Sequence, residues 1–190
     1  MTNNYSDRLR DVIEYSREEA GRLQNSYIGP EHLLLGILRD GTGRAIDALH
    51  HLNADLSAIK KEIEDEIRNE LDSNVQTFEI IVSKISEKIL RMSILEAKLL
   101  QNELVDSEHL LLAIMKEGEN IAARILQNNN VKYKPIYDFL SGAANEAEEE
   151  VEKLGSINDG FTEDEEDEDD DEDDVMPKKD NSRQSSGNAS

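Results

Sequence analysis

The stretch Glu31-His32-Leu33-Leu34-Leu35 returns as Glu108-His109-Leu110-Leu111-Leu112, and that pair decides the reading of the fold. The offset is 77 residues, and it holds without a gap on both sides of the motif. Upstream, Ser16, Glu19, Ala20, Leu23, Gln24 and Asn25 meet Ser93, Glu96, Ala97, Leu100, Gln101 and Asn102. Downstream, Ile37, Gly41, Ala45, Leu49, Asn53 and Ile59 meet Ile114, Gly118, Ala122, Leu126, Asn130 and Ile136. A register that survives this far marks a tandem duplication, with one structural unit of roughly 65 residues per copy.

Within a copy the apolar spacing is helical. Leu9, Val12, Ile13, Ser16, Ala20 and Leu23 recur every three or four residues and predict a helix over Ser6–Leu23. Gly29-Pro30 opens a second helix, with proline at the first helical position where its missing N–H costs nothing. Leu33, Leu34, Ile37 and Leu38 make this helix too apolar for the surface, so it should be central. Gly41-Thr42-Gly43 breaks it. A short helix over about 44–52 and a longer one over about 57–71, carrying Ile59, Ile63, Ile67 and Leu71, complete the unit. The second copy predicts helices over about 83–100, 108–116, 121–127 and 135–140, and no sustained alternation predicts a strand. The expected fold is all-α: two tandem four-helix repeats, about 5–71 and 82–141, related by an approximate two-fold axis and forming one domain over 1–142.

The net charge of -22 is concentrated at one end. Residues 163–174 are twelve consecutive acids, whereas residues 1–142 hold 24 Asp+Glu against 17 Lys+Arg, a net of -7. From 143 onward the chain is an expected acidic linker or tail, and from about 155 it has too few apolar groups to offset the entropy of ordering. No basic surface suggests nucleic acid, and no apolar run approaches the roughly 20 residues of a membrane span. The chain has no cysteine, which removes thiolate chemistry and disulfides. Met-Thr-Asn-Asn-Tyr-Ser-Asp lacks the pattern of a secretion signal, so a cytoplasmic location is expected.

No catalytic constellation is present in the sequence: there is neither a phosphate loop nor a nucleophile elbow. His32 and His109 are equivalent positions and read as structural histidines that donate a hydrogen bond near the core. Gly41 and Gly118 belong to the same repeat signature. His50 and His51 are adjacent on a helix and point apart, so no metal site is expected. Glu31 and Glu108 each sit in the first turn of a central helix, beside free backbone N–H groups. Such a carboxylate either stabilises its own helix or holds a guanidinium or ammonium group, and both readings stand. Ser107 reads as an N-cap with a hydroxyl and an amide to offer, where Pro30 has neither. Asp106 would repel an anion, so the second helix start is expected to favour cationic, arginine-bearing ligands.

The run Ile28-Gly29-Pro30-Glu31-His32-Leu33-Leu34-Leu35-Gly36-Ile37-Leu38-Arg39-Asp40-Gly41, with its copy at Val105 to Gly118, resembles the double Clp N-terminal repeat. That is the N-terminal domain of ClpA/ClpC-type AAA+ unfoldases, with the likeness to ClpC the greater. The resemblance implies a non-catalytic domain that binds substrates and adaptor proteins on a flexible tether. A hexameric motor would then unfold them for a ClpP-type peptidase. ATP and magnesium would belong to ATPase modules outside this chain, and no cofactor is expected within it. The fragment is expected to be monomeric. A free regulatory protein built from the same repeats, modulating a Clp complex, is the alternative. In relatives that read phosphoarginine tags, the glutamate of each Gly-Thr-Glu-His motif lies in the tag pocket, which points to Glu31 and Glu108. Pro30 and Asp106-Ser107 depart from that motif, so strong phosphoarginine binding is not expected.

Overall fold

Ser6 and Ser83 lie 77 residues apart, and both cap a helix with the side-chain oxygen. Ser6 Oγ accepts the Leu9 N–H at 3.0 Å, and Ser83 Oγ accepts the Ser86 N–H at 3.1 Å. From these caps the computed structural model, which describes residues 4–70 and 80–142, builds two copies of one plan. The first contains α1 (Asp7–Arg22), β1 (Tyr27–Ile28), α2 (Pro30–Asp40), α3 (Gly43–His51) and α4 (Leu56–Glu70). The second contains β2 (Ile81–Val82), α5 (Lys84–Leu99), α6 (Ser107–Glu117), α7 (Ile121–Asn128) and α8 (Tyr133–Ser141). Eight helices in two sets of four match the expected all-α repeats. Leu71, most of the joining segment and everything from 143, including the acidic tail, lie outside the described residues.

The last helix starts two residues before the sequence reading placed it. Pro135 stands at the third helical position, where it has no intrahelical N–H bond to lose. The two short strands are an addition that two residues of alternation are too few to announce. β1 and β2 pair in parallel, with Ile28 opposite Val82, and Tyr5 bridges Val105 in the same sense. Shifting the second pairing by one repeat turns Tyr5 into Val82 and Val105 into Ile28. The two bridges are therefore images of each other across a two-fold axis. Their hydrogen bonds agree: Ser6 N–H donates to Val105 O at 2.9 Å, and Ser83 N–H to Ile28 O at 3.0 Å. These bridges stitch the copies together immediately before α2 and α6.

Packing follows the same symmetry. α4 lies against α7 and α8 against α3, while α2 and α6 touch at the centre. Leu33, Leu34 and Ile37 of α2, and Leu110, Leu111 and Ile114 of α6, are fully buried in one apolar cluster that includes both copies. Polar groups at equivalent positions go down with them, among them a serine and a glutamate from the first helix of each copy. Ser16 and Ser93 return their hydroxyls to backbone oxygens of their own helices, Val12 and Leu90. Glu19 meets Arg39 at 3.1 Å, and Glu96 meets Lys116 at 2.7 Å, so the copies preserve a buried carboxylate with a cation from the central helix. Burial and this carboxylate together push the Tyr133 hydroxyl up, since it donates to Glu96 at 2.7 Å.

Candidate functional site

Each central helix starts at a stitched bridge, so its first turn is held against the other copy. At α2, Gly29 is the N-cap, Pro30 the first helical residue, Glu31 the second and His32 the third. His32 accepts the Gly29 N–H at Nδ1, 3.0 Å away, which leaves the ring proton on Nε2 facing Asn25 Oδ1 at 3.2 Å. His109 accepts the Asp106 N–H in the same way at 2.9 Å. Both repeat histidines are fully buried, and where the sequence reading had them donate a hydrogen bond, the bond they share is one they accept. Gly41 and Gly118 end the two helices with φ of 66° and 78°.

Glu31 is 4% exposed and folds back over its own cap. Its Oε1 lies 3.0 Å from His32 Nδ1, and a Cβ on Gly29 would sit 1.9 Å from that oxygen. Glycine at 29 is therefore a steric condition for this carboxylate. Beside it opens a cavity of about 330 Å³ between the copies. Tyr27, Pro30, Ile85 and Ile121 supply apolar walls, Glu31 and Glu119 supply carboxylates, and among the described residues no lysine or arginine lines it. Two anionic groups against apolar walls suit an alkyl chain that ends in a cation.

The second start differs, because the residue equivalent to Gly29 is Asp106. Asp106, not Ser107, is the N-cap of α6, and its Oδ1 accepts the Ser107 N–H at 2.6 Å. The expected Ser107 cap is corrected accordingly: Ser107 is the first helical residue, and its amide is already engaged. Its hydroxyl remains, buried and without a partner, as do Glu108 Oε2 and His109 Nε2. Burial raises the Glu108 carboxyl above the ordinary range. Its own backbone N–H lowers it, Asp106 raises it further, and Arg44 and Arg8 pull it back. Burial also takes His109 down to about 4.

Arg8 and Arg44 are the residues of the second start that sequence reasoning missed. The two-fold axis carries Ile85 and Ile121 of the first site onto them. Arg8 lies 3.6 Å from Asp106 and 3.7 Å from Asp40, and Arg44 donates to the Leu140 carbonyl at 2.6 Å. The charge of Asp106 is thus countered by a group from α1, which no local spacing reveals. A swap of isoleucine for arginine at the 77-residue offset was the visible signal; its destination was not. Of the sequence-predicted residues, Glu31 borders the cavity, while Ser107 and Glu108 form a second, more polar start. Among the described residues no group of three or more His, Cys, Asp or Glu could hold a metal.

Comparison with known proteins agrees with this architecture. A family model described as the Clp repeat (R) N-terminal domain matches residues 4–129. The chain is 38% identical over 131 residues to a ClpA homologue from Cyanidium caldarium, covering 69% of this chain and 15% of that protein. It is 37% identical over 131 residues to the "Negative regulator of genetic competence ClpC/MecB" of Bacillus subtilis, covering 69% and 16%. The chain thus spans about a sixth of the length of the curated relatives it matches. Among solved structures, the Hsp104 N-terminal domain from Candida albicans superposes with a TM-score of 0.61 at 15% identity, over 73% of this chain and 89% of that one. The N-terminal domain of a ClpV1 ATPase from E. coli gives 0.60 at 18% identity, over 71% and 82%. At these identities the structural likeness speaks for the fold alone.

Proposed function

The chain belongs to the Clp repeat N-terminal domain family, and from that premise we propose that it receives substrates and adaptor proteins for a ClpC-like unfoldase. In this reading the domain captures and does not catalyse. ATP and magnesium act in modules elsewhere in the full-length protein, which is hexameric and delivers captured proteins to a ClpP-type peptidase. One observation carries the proposal: each central helix opens with a buried glutamate, and the first of these borders a cavity of about 330 Å³ between the copies. A cavity of that size admits one side chain of a peptide.

The two starts have different chemistry. Glu31 and Glu119 give the first a lining whose charged groups are both anionic, with Ser83 and Asn120 as neutral polar neighbours, which suits an unmodified arginine or lysine. Arg8 and Arg44 give the second a balanced charge that removes its preference for cations. Calorimetry on the full chain with an arginine-bearing peptide and its phosphoarginine counterpart tests this. Glu31→Ala should weaken the arginine peptide at least about tenfold, the scale of one lost charge-assisted hydrogen bond. Glu108→Ala should weaken it less. Binding that ignores both substitutions, in protein that is still folded, would return the glutamates to stabilising their own helices.

A further inference from the structure

Duplication supplies an internal control for α5, because α1 is the same helix with different surface residues. At about 100° per residue, Ile85, Met92 and Leu99 fall within about 40° of one another, and Leu95 lies beside them. Ile85, Leu95 and Leu99 are 45%, 56% and 53% exposed, and Met92 is partly buried. A second row, also spaced by seven residues, runs along their outer edge: Lys84, Arg91 and Lys98, all exposed. The equivalent positions of α1 read Arg8, Tyr15, Arg22 and Glu18 for the first set and Asp7, Glu14 and Gly21 for the second. Three of them are engaged in ion pairs with other helices: Arg22 with Glu64 of α4, Glu18 with Arg39 of α2, and Arg8 with Asp40 of α2. The first copy thus closes this face with charge, whereas the second leaves it mostly apolar, broken only by Lys88, which lies between Leu95 and Leu99 around the helix and pairs with Glu117 of α6 at 3.2 Å.

We propose that the outer face of α5 docks an amphipathic helix of a partner protein that carries an acidic row beside its apolar stripe. The seven-residue spacing is the pattern of a helix–helix seam: Ile85, Met92 and Leu99 form one apolar line, Leu95 extends it, and the basic residues occupy the flanking row that selects a partner by charge. The strip is about 21 Å long, the length of a helix of about 14 residues. Charge complementarity decides among occupants. Lys84 and Lys98 have no carboxylate within 4.0 Å among the described residues, and Arg91 reaches only Glu87 of its own helix at 3.9 Å. A second copy of α5 laid antiparallel would set this basic row against itself. An acidic row satisfies it, and the buried face of α5, with Ser86, Ile89, Ser93, Glu96 and Ala97, keeps its own contacts.

The test uses the full chain and two synthetic helical peptides of 16 residues. Both carry leucines in a seven-residue repeat; one is flanked by glutamates and the other by lysines. The glutamate peptide should bind at least tenfold more tightly. Leu95→Glu with Leu99→Arg installs the residues that α1 already tolerates, so it should leave the melting temperature unchanged and reduce binding at least tenfold. Lys84→Glu with Lys98→Glu should reverse the preference between the peptides. Equal affinity for both peptides, or binding unaffected by the leucine substitutions, would overturn the proposal. So would dimerisation of the free chain that the leucine substitutions abolish, which gives the face to a second copy. Because the chain has no cysteine, Asp170→Cys accepts a single spin label. Broadening of α5 amides by that label in the free chain would give the face to the chain's own acidic segment, and would overturn the proposal as well.

Discussion

Gly29 and Asp106 hold the same place in the two copies, and the two helix starts diverge from that exchange. Without a Cβ, Gly29 lets Glu31 fold back beside the His32 ring. With a carboxylate of its own, Asp106 takes the first free amide of α6 and draws Arg8 to within 3.6 Å. Glu108 is then buried beside a second acid and two guanidinium groups, with one oxygen unpartnered. The backbone plan is conserved at both starts, down to the histidine that accepts the cap amide. Duplication here has copied a frame and released the side chains above it.

The largest expected effect tests whether the frame is one body. Ile37 and Ile114 are equivalent and fully buried in the shared cluster. Ile37→Ala and Ile114→Ala should each cost about 2–5 kcal/mol, the range for truncating a buried aliphatic side chain. Either should lower hydrogen-exchange protection in α2 and α6 together. Protection lost in one copy alone would break the frame into two independently unfolding units.

The next effect separates the two starts by pH. An imidazole with a folded pKa of about 4, against about 6.5 in the unfolded chain, is protonated first when unfolded. The stability linked to His109 is therefore complete above about pH 6.5 and is lost as pH falls towards 4. The shift corresponds to about 3 kcal/mol. Glu108 acts with the opposite sign, because a carboxyl with a raised folded pKa takes its proton more readily in the folded state. Urea unfolding between pH 7 and 4 should show a net loss that His109→Asn flattens and Glu108→Gln steepens. A profile unchanged by His109→Asn would remove the asymmetry between the starts.

The helices, their order and the buried histidines were legible because they depend on spacing along the chain. Leu33, Leu34 and Ile37 announce a central helix by composition, and the 77-residue offset announces its partner. Arg8 beside Asp106, Ile85 beside Glu31, and the bridges from Tyr5 to Val105 and Ile28 to Val82 were not legible. Each joins residues from different copies, and periodicity carries no information about which groups meet across a two-fold axis. The cap at α6 was misplaced by one residue for a local reason. Asp and Ser are both good N-caps, and two in succession leave the choice to the backbone. That backbone is fixed by the Val105 bridge immediately before Asp106.

The smallest expected effect concerns how closely each pair of long helices approaches, and here Gly36 and Ala113 are the equivalent residues. A Cβ on Gly36 would lie 2.3 Å from Ser16 Oγ and 2.4 Å from Val12 O, so α1 packs directly on the α2 backbone. In the second copy Ala113 is fully buried at the same place, so α5 stands off far enough to admit a methyl group. Gly36→Ala gains about 1 kcal/mol of helix propensity and loses about 1–3 to overpacking, because a backbone oxygen cannot rotate away as a side chain can. The net should be a loss of about 1 kcal/mol. Ser16→Ala in the same chain removes the hydroxyl but not the Val12 oxygen, so the double variant should keep most of the overpacking cost. Ala113→Gly should also destabilise by about 1 kcal/mol, for the opposite reasons of lost propensity and a small void. Denaturant midpoints for the two single variants and the double variant decide the matter. If Gly36→Ala proves stabilising, α1 can move off α2 at little cost, and the two helix pairs are packed alike after all.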